Sequence, residues 1–340
     1  MFLEILLLLL GLGTILLASE IFTNGLEVMA KRFSFSQAVV GSVLAAVGTA
    51  LPETILPAVA IFITKGATSK DIGVGAILGA PFMISTLAFF LVGATAFFCS
   101  LAKRRKFEIN LEINSVRRDI VFFLCMYSTA VFLPVFFGRS LNIVIALLLI
   151  IGYIVYVLLT IKGESAAVEH LEGLHFFTIQ KRLGLANSDI PNTLLIFFQI
   201  AGSLVIMVFG AHIFVHYLEK LSLELGMNPL LFALILAPIA TELPEKFNSV
   251  SWTIKGKDPL AVGNLTGAMV FQSTFPVSIG LIFTDWNLTP MAIFSAVLAL
   301  ISGGLILISI TLKKRVSPFV FLAGGALYLT YIAALVMIHR

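Results

Sequence analysis

Long apolar runs separated by short polar ones make up most of this sequence. They lie near residues 3–30, 36–64, 71–100, 119–137 and 141–161 and, after a polar stretch, near 193–218, 227–254, 259–284, 288–312 and 317–338. Each is close to or longer than the roughly 20 residues a helix needs to cross the hydrocarbon of a bilayer. The pattern predicts an all-α polytopic membrane protein with ten transmembrane helices. Five spans per half is an odd number, so the second half enters the membrane from the opposite side, giving two inverted-topology five-helix repeats. The implied division is a first repeat over 1–162, a linker over 163–190 and a second repeat over 191–340.

Basic residues sharpen this topology, because Lys and Arg collect in cytoplasmic loops. The loops after the odd-numbered runs hold 16 of the 22 basic residues, among them Lys103, Arg104, Arg105, Lys106, Arg117 and Arg118, while the opposite side holds 5 and Lys246 lies inside a run. Both termini are therefore expected outside the cytoplasm and the linker inside it, in a multi-pass protein of the cell (plasma) membrane. The apolar start carries Glu4 and no early Lys or Arg, and it runs on past Glu20. That is the anatomy of a retained first helix rather than of a cleaved signal peptide.

Composition agrees and narrows the classes. Hydrophobic residues are 59% of 340 and charged residues 12%, the latter about half the share of a water-soluble globule. The formal charge of +4 is accounted for by loop placement, so no nucleic-acid partner is implied. Cys99 and Cys125 stand apart in apolar runs without metal-ligand spacing and read as buried thiols. No GxxxxGK[ST] phosphate loop occurs, so an internal ATP motor is not expected, and no HExxH supports a hydrolase.

Chemistry enters with a stretch that occurs twice. Thr49-Ala50-Leu51-Pro52-Glu53 returns 192 positions later as Thr241-Glu242-Leu243-Pro244-Glu245, each time within an apolar run. A carboxylate there must line a cavity or find a partner, which marks Glu53 and Glu245 as functional candidates. The prolines lack an N–H, so the carbonyls of Gly48 and Ala240, one turn back, lose their helical donors. Carboxylates and freed carbonyls at a helix interruption can bind a cation. Further repetition follows at an offset of 188: Val74–Ala80 returns as Val262–Ala268, with Gly75/Gly79 matching Gly263/Gly267, and Ser85-Thr86 returns as Ser273-Thr274. Close helix packing explains the glycines; it does not explain paired acids.

On these residues the chain resembles the calcium/cation antiporter superfamily, the sodium/calcium exchanger-like membrane proteins. The resemblance covers nearly the whole chain and is most specific at Gly48–Glu53, at the degenerate copy Ala240–Glu245 and at Gly263-Asn264-x-x-Gly267. It implies that the two acidic stretches break the second and seventh helices and meet the third and eighth at mid-membrane. It further implies Glu53 and Glu245 as central cation ligands, with Thr49 and Thr241 supplying oxygens one turn away; the i, i+4 spacing puts each Thr on the face of its Glu. No resident cofactor is expected. The partners implied are the lipid bilayer and transported inorganic cations: Na⁺, Ca²⁺ or H⁺.

Several positions depart from the pattern of that family. Ile84 and Ala76 stand where relatives carry polar residues, Gln272 stands where Asn or Asp is usual, Glu242 replaces Ser, and Lys246 follows Glu245. Ca²⁺ takes six to eight oxygens, so the loss of oxygens in the first half weakens a Ca²⁺ assignment. Glu242 and Lys246 have the favourable i, i+4 order for an ion pair. Lys246 is then either a built-in countercharge that alters ion stoichiometry or a side chain that snorkels to the interface. Asn264, Ser85 and Ser273 complete the candidate set.

His212 and His216, one turn apart, could hold a transition metal or simply pack. Glu20, Glu27 and Glu219 are placed at helix ends and the access path. The leading function is a secondary cation antiporter, not an enzyme, working by alternating access with Na⁺ against Ca²⁺. The alternatives are exchange of Na⁺ or another cation against H⁺, a passive cation channel, and an intramembrane hydrolase using paired carboxylates.

Overall fold

The computed structural model describes residues 2–32, 45–163, 193–313 and 317–338. The linker from 164 to 190 and residues 33–44 lie outside the described residues, and so do the side chains of Glu27, Thr49, Ala240 and Pro244. Every regular element among the described residues is helical. The first half comprises α1 (Phe2–Arg32), α2 (Ala45–Phe62), α3 (Ser69–Met83), α4 (Phe89–Leu101), α5 (Ile113–Phe137) and α6 (Asn142–Gly163). The second comprises α7 (Thr193–Glu224), α8 (Pro229–Thr241), α9 (Leu243–Ile254), α10 (Asp258–Gln272), α11 (Phe275–Phe283), α12 (Pro290–Lys313) and α13 (Pro318–Ile338).

The apolar runs and these helices coincide closely. Among the described residues, seven stretches are long and apolar enough to cross a bilayer, and one of them, Ile113–Thr160, takes in α5 and most of α6. The second and seventh runs are built differently: α2 is 18 residues as described, and the seventh run is divided into α8 and α9. Large apolar side chains such as Leu9, Leu147, Leu158, Phe209 and Leu329 are exposed on the outer faces. In water such a surface would drive aggregation, whereas here it is the lipid-facing side of a multi-pass integral membrane protein.

The halves interlock. α1 lies along α7, α3 against α8, α4 against α13, α6 against α11 and α5 against α12. Glycines permit the closest approaches, as small residues do between membrane helices. A Cβ on Gly11 would stand 2.9 Å from Gly210 O, and Cβ atoms on Gly75 and Gly79 would stand 2.1 and 2.0 Å from Leu230 O and Leu234 O. Two apolar cores result. One joins α1, α2 and α7 with parts of α3 and α8, and the other, larger one is centred on α3–α6 and α10–α13.

Ion pairs and caps tie the ends. Arg105 pairs with buried Asp258 at the start of α10 and donates to Thr253 O at 3.1 Å. Arg139 pairs with Asp285, and Lys220 Nζ donates to Glu4 Oε1 at 2.8 Å. Glu219 caps the α3 N-terminus by accepting from Thr68 N and Thr68 Oγ1, both at 2.8 Å, so this acid is a helix cap. His212 Nδ1 sits 3.1 Å from Thr64 Oγ1 and His216 packs edge-on to Tyr217. Both histidines have packing partners, and no metal-holding cluster of His, Cys, Asp or Glu occurs among the described residues.

The thiols correct the expectation of burial: Cys125 is exposed on α5 and Cys99 is half-buried. An apolar run in a membrane can face lipid as well as protein, and a thiol is apolar enough for either.

Candidate functional site

The two acidic stretches meet. Glu53 lines a tight pocket between α2, α3 and α8 together with Leu56, Pro57, Ala76, Ala80, Ala237, Pro238 and Thr241. One wall thus comes from the first copy and the opposite wall from the second. Glu53 is 5% exposed, Glu242 0% and Glu245 4%, so all three carboxylates are withdrawn from both lipid and solvent. Glu53 interacts electrostatically with Glu245 and Glu242.

Local sequence chemistry sets each carboxylate differently. α2 runs unbroken from Ala45 to Phe62 through Pro52 and Pro57, which corrects the expected break at the first copy. Each proline removes one donor there without dividing the helix. The second copy is divided: α8 ends at Thr241, Glu242 takes a non-helical ψ of 7°, and α9 restarts with Pro244 in its first turn. Proline is well placed in a first turn, where its missing N–H would have no helical acceptor. Thr241 Oγ1 bonds back to Ala237 O at 3.1 Å.

Lys246 turns inward. It is 6% exposed, with Nζ 3.1 Å from Glu242 Oε2, and it donates to Pro238 O at 3.3 Å and to the Met83 thioether at 2.9 Å. A snorkelling lysine would put its ammonium in water; this one lies in the protein interior. Its charge acts on Glu53, Glu242 and Glu245 alike.

Among the described residues, both oxygens of Glu53, Oε2 of Glu245 and Oε1 of Gln272 are buried without a hydrogen-bond donor. The Glu242 oxygens likewise lack an aligned donor, because the contact with Lys246 is close but poorly directed for a hydrogen bond. Buried carboxylate oxygens are normally satisfied, so this cluster has acceptor capacity left over for positive ions.

The third and eighth positions of the repeat carry matching irregularities. Phe82 O accepts from Ser85 Oγ (3.1 Å) and Thr86 Oγ1 (2.5 Å), and the helix widens into one π-turn over Ile84–Ala88. Val270 O accepts from Ser273 Oγ (3.0 Å) and Thr274 Oγ1 (2.8 Å), and there α10 gives way to α11. Such back-bonding by hydroxyls bends helices. The Ser85 and Ser273 hydroxyl protons are thereby used on their own helices, leaving oxygen lone pairs. Ile84 is buried in the apolar core, Ala76 lines the Glu53 pocket, and Asn264 Nδ2 donates to Ser249 Oγ at 3.3 Å. Met83 and the Pro238 carbonyl are the participants that sequence reasoning missed. Pro238 does stand one turn before Glu242, but no sequence signal points to Met83.

Beyond this cluster, Asp119 is buried against Arg118 (3.0 Å) and accepts from Thr266 Oγ1 at 2.7 Å, joining α5 to α10. Arg118 also lies over the Tyr156 ring at 5.4 Å.

The profile of the family described as sodium/calcium exchanger protein matches residues 3–162 and 195–339. An uncharacterised membrane protein of Methanocaldococcus jannaschii is 24% identical over 339 residues, 97% of either chain. The crystal structure of the H⁺/Ca²⁺ exchanger CAX superposes with a TM-score of 0.72 at 19% identity, covering 98% of this chain and 82% of that one. The sodium-calcium exchanger NCX_Mj gives 0.58 at 20% identity, covering 98% of each chain. The fold is shared with both, and the profile spans both halves: this chain belongs to the sodium/calcium exchanger family of membrane cation transporters.

Proposed function

We propose that this protein is a secondary antiporter that exchanges cations by alternating access around Glu53, Glu242 and Glu245, with Na⁺ against Ca²⁺ as the leading pair. The observation that carries the reading is the convergence of the two acidic stretches, with buried carboxylate oxygens left without donors. Thr49, Thr241, Gln272 and the carbonyls of Gly48 and Ala240 supply further oxygens, Ser85 and Ser273 stand at the helix irregularities, and Asn264 ties α10 to α9 through Ser249. Ten spans in two inverted five-helix repeats, split as 1–162 and 191–340 around a cytoplasmic linker, place the termini outside the cytoplasm at the cell membrane. Contacts between distant loops support this arrangement. Arg105 with Asp258, Arg139 with Asp285 and Glu4 with Lys220 each join segments that the Lys/Arg bias assigns to the same side.

A second reading, exchange of Na⁺ or another cation against H⁺, is favoured by one observation. The first half offers apolar Ala76 in the lining of the Glu53 pocket, and an ammonium already occupies part of the second half. Reconstituted protein given Na⁺, Ca²⁺ and pH gradients one at a time decides between them. Counter-ion-dependent Ca²⁺ uptake driven by Na⁺ supports the first reading, Na⁺-driven proton movement without Ca²⁺ flux supports the second, and flux without any counter-ion overturns both.

A further inference from the structure

We infer that the Lys246 ammonium is a tethered cation that permanently occupies one monovalent-ion position of the central site and so fixes the number of ions carried per cycle. This deepens the antiporter reading and rests on it. Nζ sits among a carboxylate oxygen at 3.1 Å, a backbone carbonyl at 3.3 Å and a thioether at 2.9 Å, contributed by α3, α8 and the α8–α9 break, so a fixed positive charge stands inside the acidic cluster. It is as buried as the acids it serves. The first copy has no counterpart, since the positions equivalent to Glu242 and Lys246 are Ala50 and Thr54. Acid and ammonium therefore belong to one copy of the repeat only, one turn apart.

The consequence is a count of charge. With Glu53, Glu242 and Glu245 ionised around a bound ion and Lys246 protonated, these four buried groups sum to a formal charge of −2. One divalent cation or two monovalent cations neutralise that charge, so exchange of one for the other moves no net charge. Without the ammonium the site stands at −3 and takes a further monovalent ion, and divalent-for-monovalent exchange then carries one charge per cycle. One charge moved through 100 mV shifts an ion distribution by about 50-fold.

The test uses full-length protein in proteoliposomes, with the membrane potential clamped by K⁺ and valinomycin and Na⁺ as the varied ion. Wild-type exchange is expected to ignore the potential, with a Na⁺ Hill coefficient approaching two. Lys246→Gln keeps polar contacts but loses the charge, and its expected results are a Hill coefficient rising towards three and, for Ca²⁺-coupled flux, dependence on potential. Glu242→Gln/Lys246→Met restores −2 and is expected to be insensitive to potential again. Electrogenic coupled exchange by the wild type overturns the inference without any variant having to fold. An unchanged Hill coefficient in Lys246→Gln also overturns it. Flux that needs no counter-ion overturns the antiporter reading itself, a distinct outcome.

Discussion

The two copies of the acidic stretch are held in different ways. Glu53 projects from a helix that passes through its proline without interruption, whereas Glu245 follows a break at Glu242 and shares its turn with Lys246. The first copy brings one acid whose oxygens have no donor among the described residues; the second brings two acids and a cation. The two copies share Thr-x-Leu-Pro-Glu in sequence, and this difference locates where they part in structure. The first half keeps a bare carboxylate, and the second has become partly self-neutralised. Charge balance in a buried site is a property of the pair of halves rather than of either one, because an uncompensated interior charge is costly.

The largest expected effect tests what the copies still share. Glu53→Gln and Glu245→Gln each remove a site carboxylate, and ion-flux assays are expected to fall about 100-fold or more, the equivalent of roughly 3 kcal/mol of lost ion stabilisation. If one variant retained full exchange, the copies would differ in role as well as in form. Next comes the feature that separates them. Lys246→Ala leaves Glu242 buried without its partner and is expected to cost about 3–5 kcal/mol of stability in cation-free detergent, part of it recovered on adding Na⁺, as followed by thermal unfolding. Gly79→Ala probes the packing between them. Its Cβ would meet Leu234 O at 2.0 Å and Pro238 Cγ at 2.7 Å, so α8 must shift at a cost of about 1–3 kcal/mol. Since Pro238 carries a carbonyl bonded to Lys246, cation dependence is expected to change with it. Glu219→Ala removes a cap at the far end of α3 and is expected to cost about 1–2 kcal/mol while leaving ion selectivity unchanged. Cys125→Ser, on the lipid-facing surface outside both copies, is expected to alter stability by less than about 0.5 kcal/mol.

Much of the architecture was legible from hydrophobic spacing, for reasons the helices make plain. The runs at 141–161, 288–312 and 317–338 match α6, α12 and α13 within a few residues, because in hydrocarbon the length of an apolar run and the length of a helix answer to the same thickness. The run placed at 119–137 begins six residues late. α5 starts at Ile113 and takes in Arg117, Arg118 and Asp119, whose polarity hides a helical start that a buried ion pair and Thr266 make tolerable. At the site, repetition singled out Glu53 and Glu245, and the i, i+4 spacing singled out the pairing of Glu242 with Lys246. Repetition could not say that α2 would stay continuous, because proline removes one hydrogen bond in either outcome and packing chooses between them. Nor could it place Met83 beside Lys246, a contact across 163 positions that depends on how α3 lies on α8. Burial of the thiols failed for a related reason, since apolarity does not distinguish a lipid-facing side from a protein-facing one.

The crossing of α1 and α7 has a consequence for biogenesis. Gly11 and Gly210 bring these helices together at backbone distance, Gln199 Nε2 donates to Ile21 O at 2.9 Å, and Lys220 holds Glu4. α1 therefore leaves the ribosome nearly two hundred residues ahead of its mate. Until then the face it turns to α7 is sheltered only by lipid or by the insertion machinery. Assembly is in this sense a late annealing of two unfinished parts.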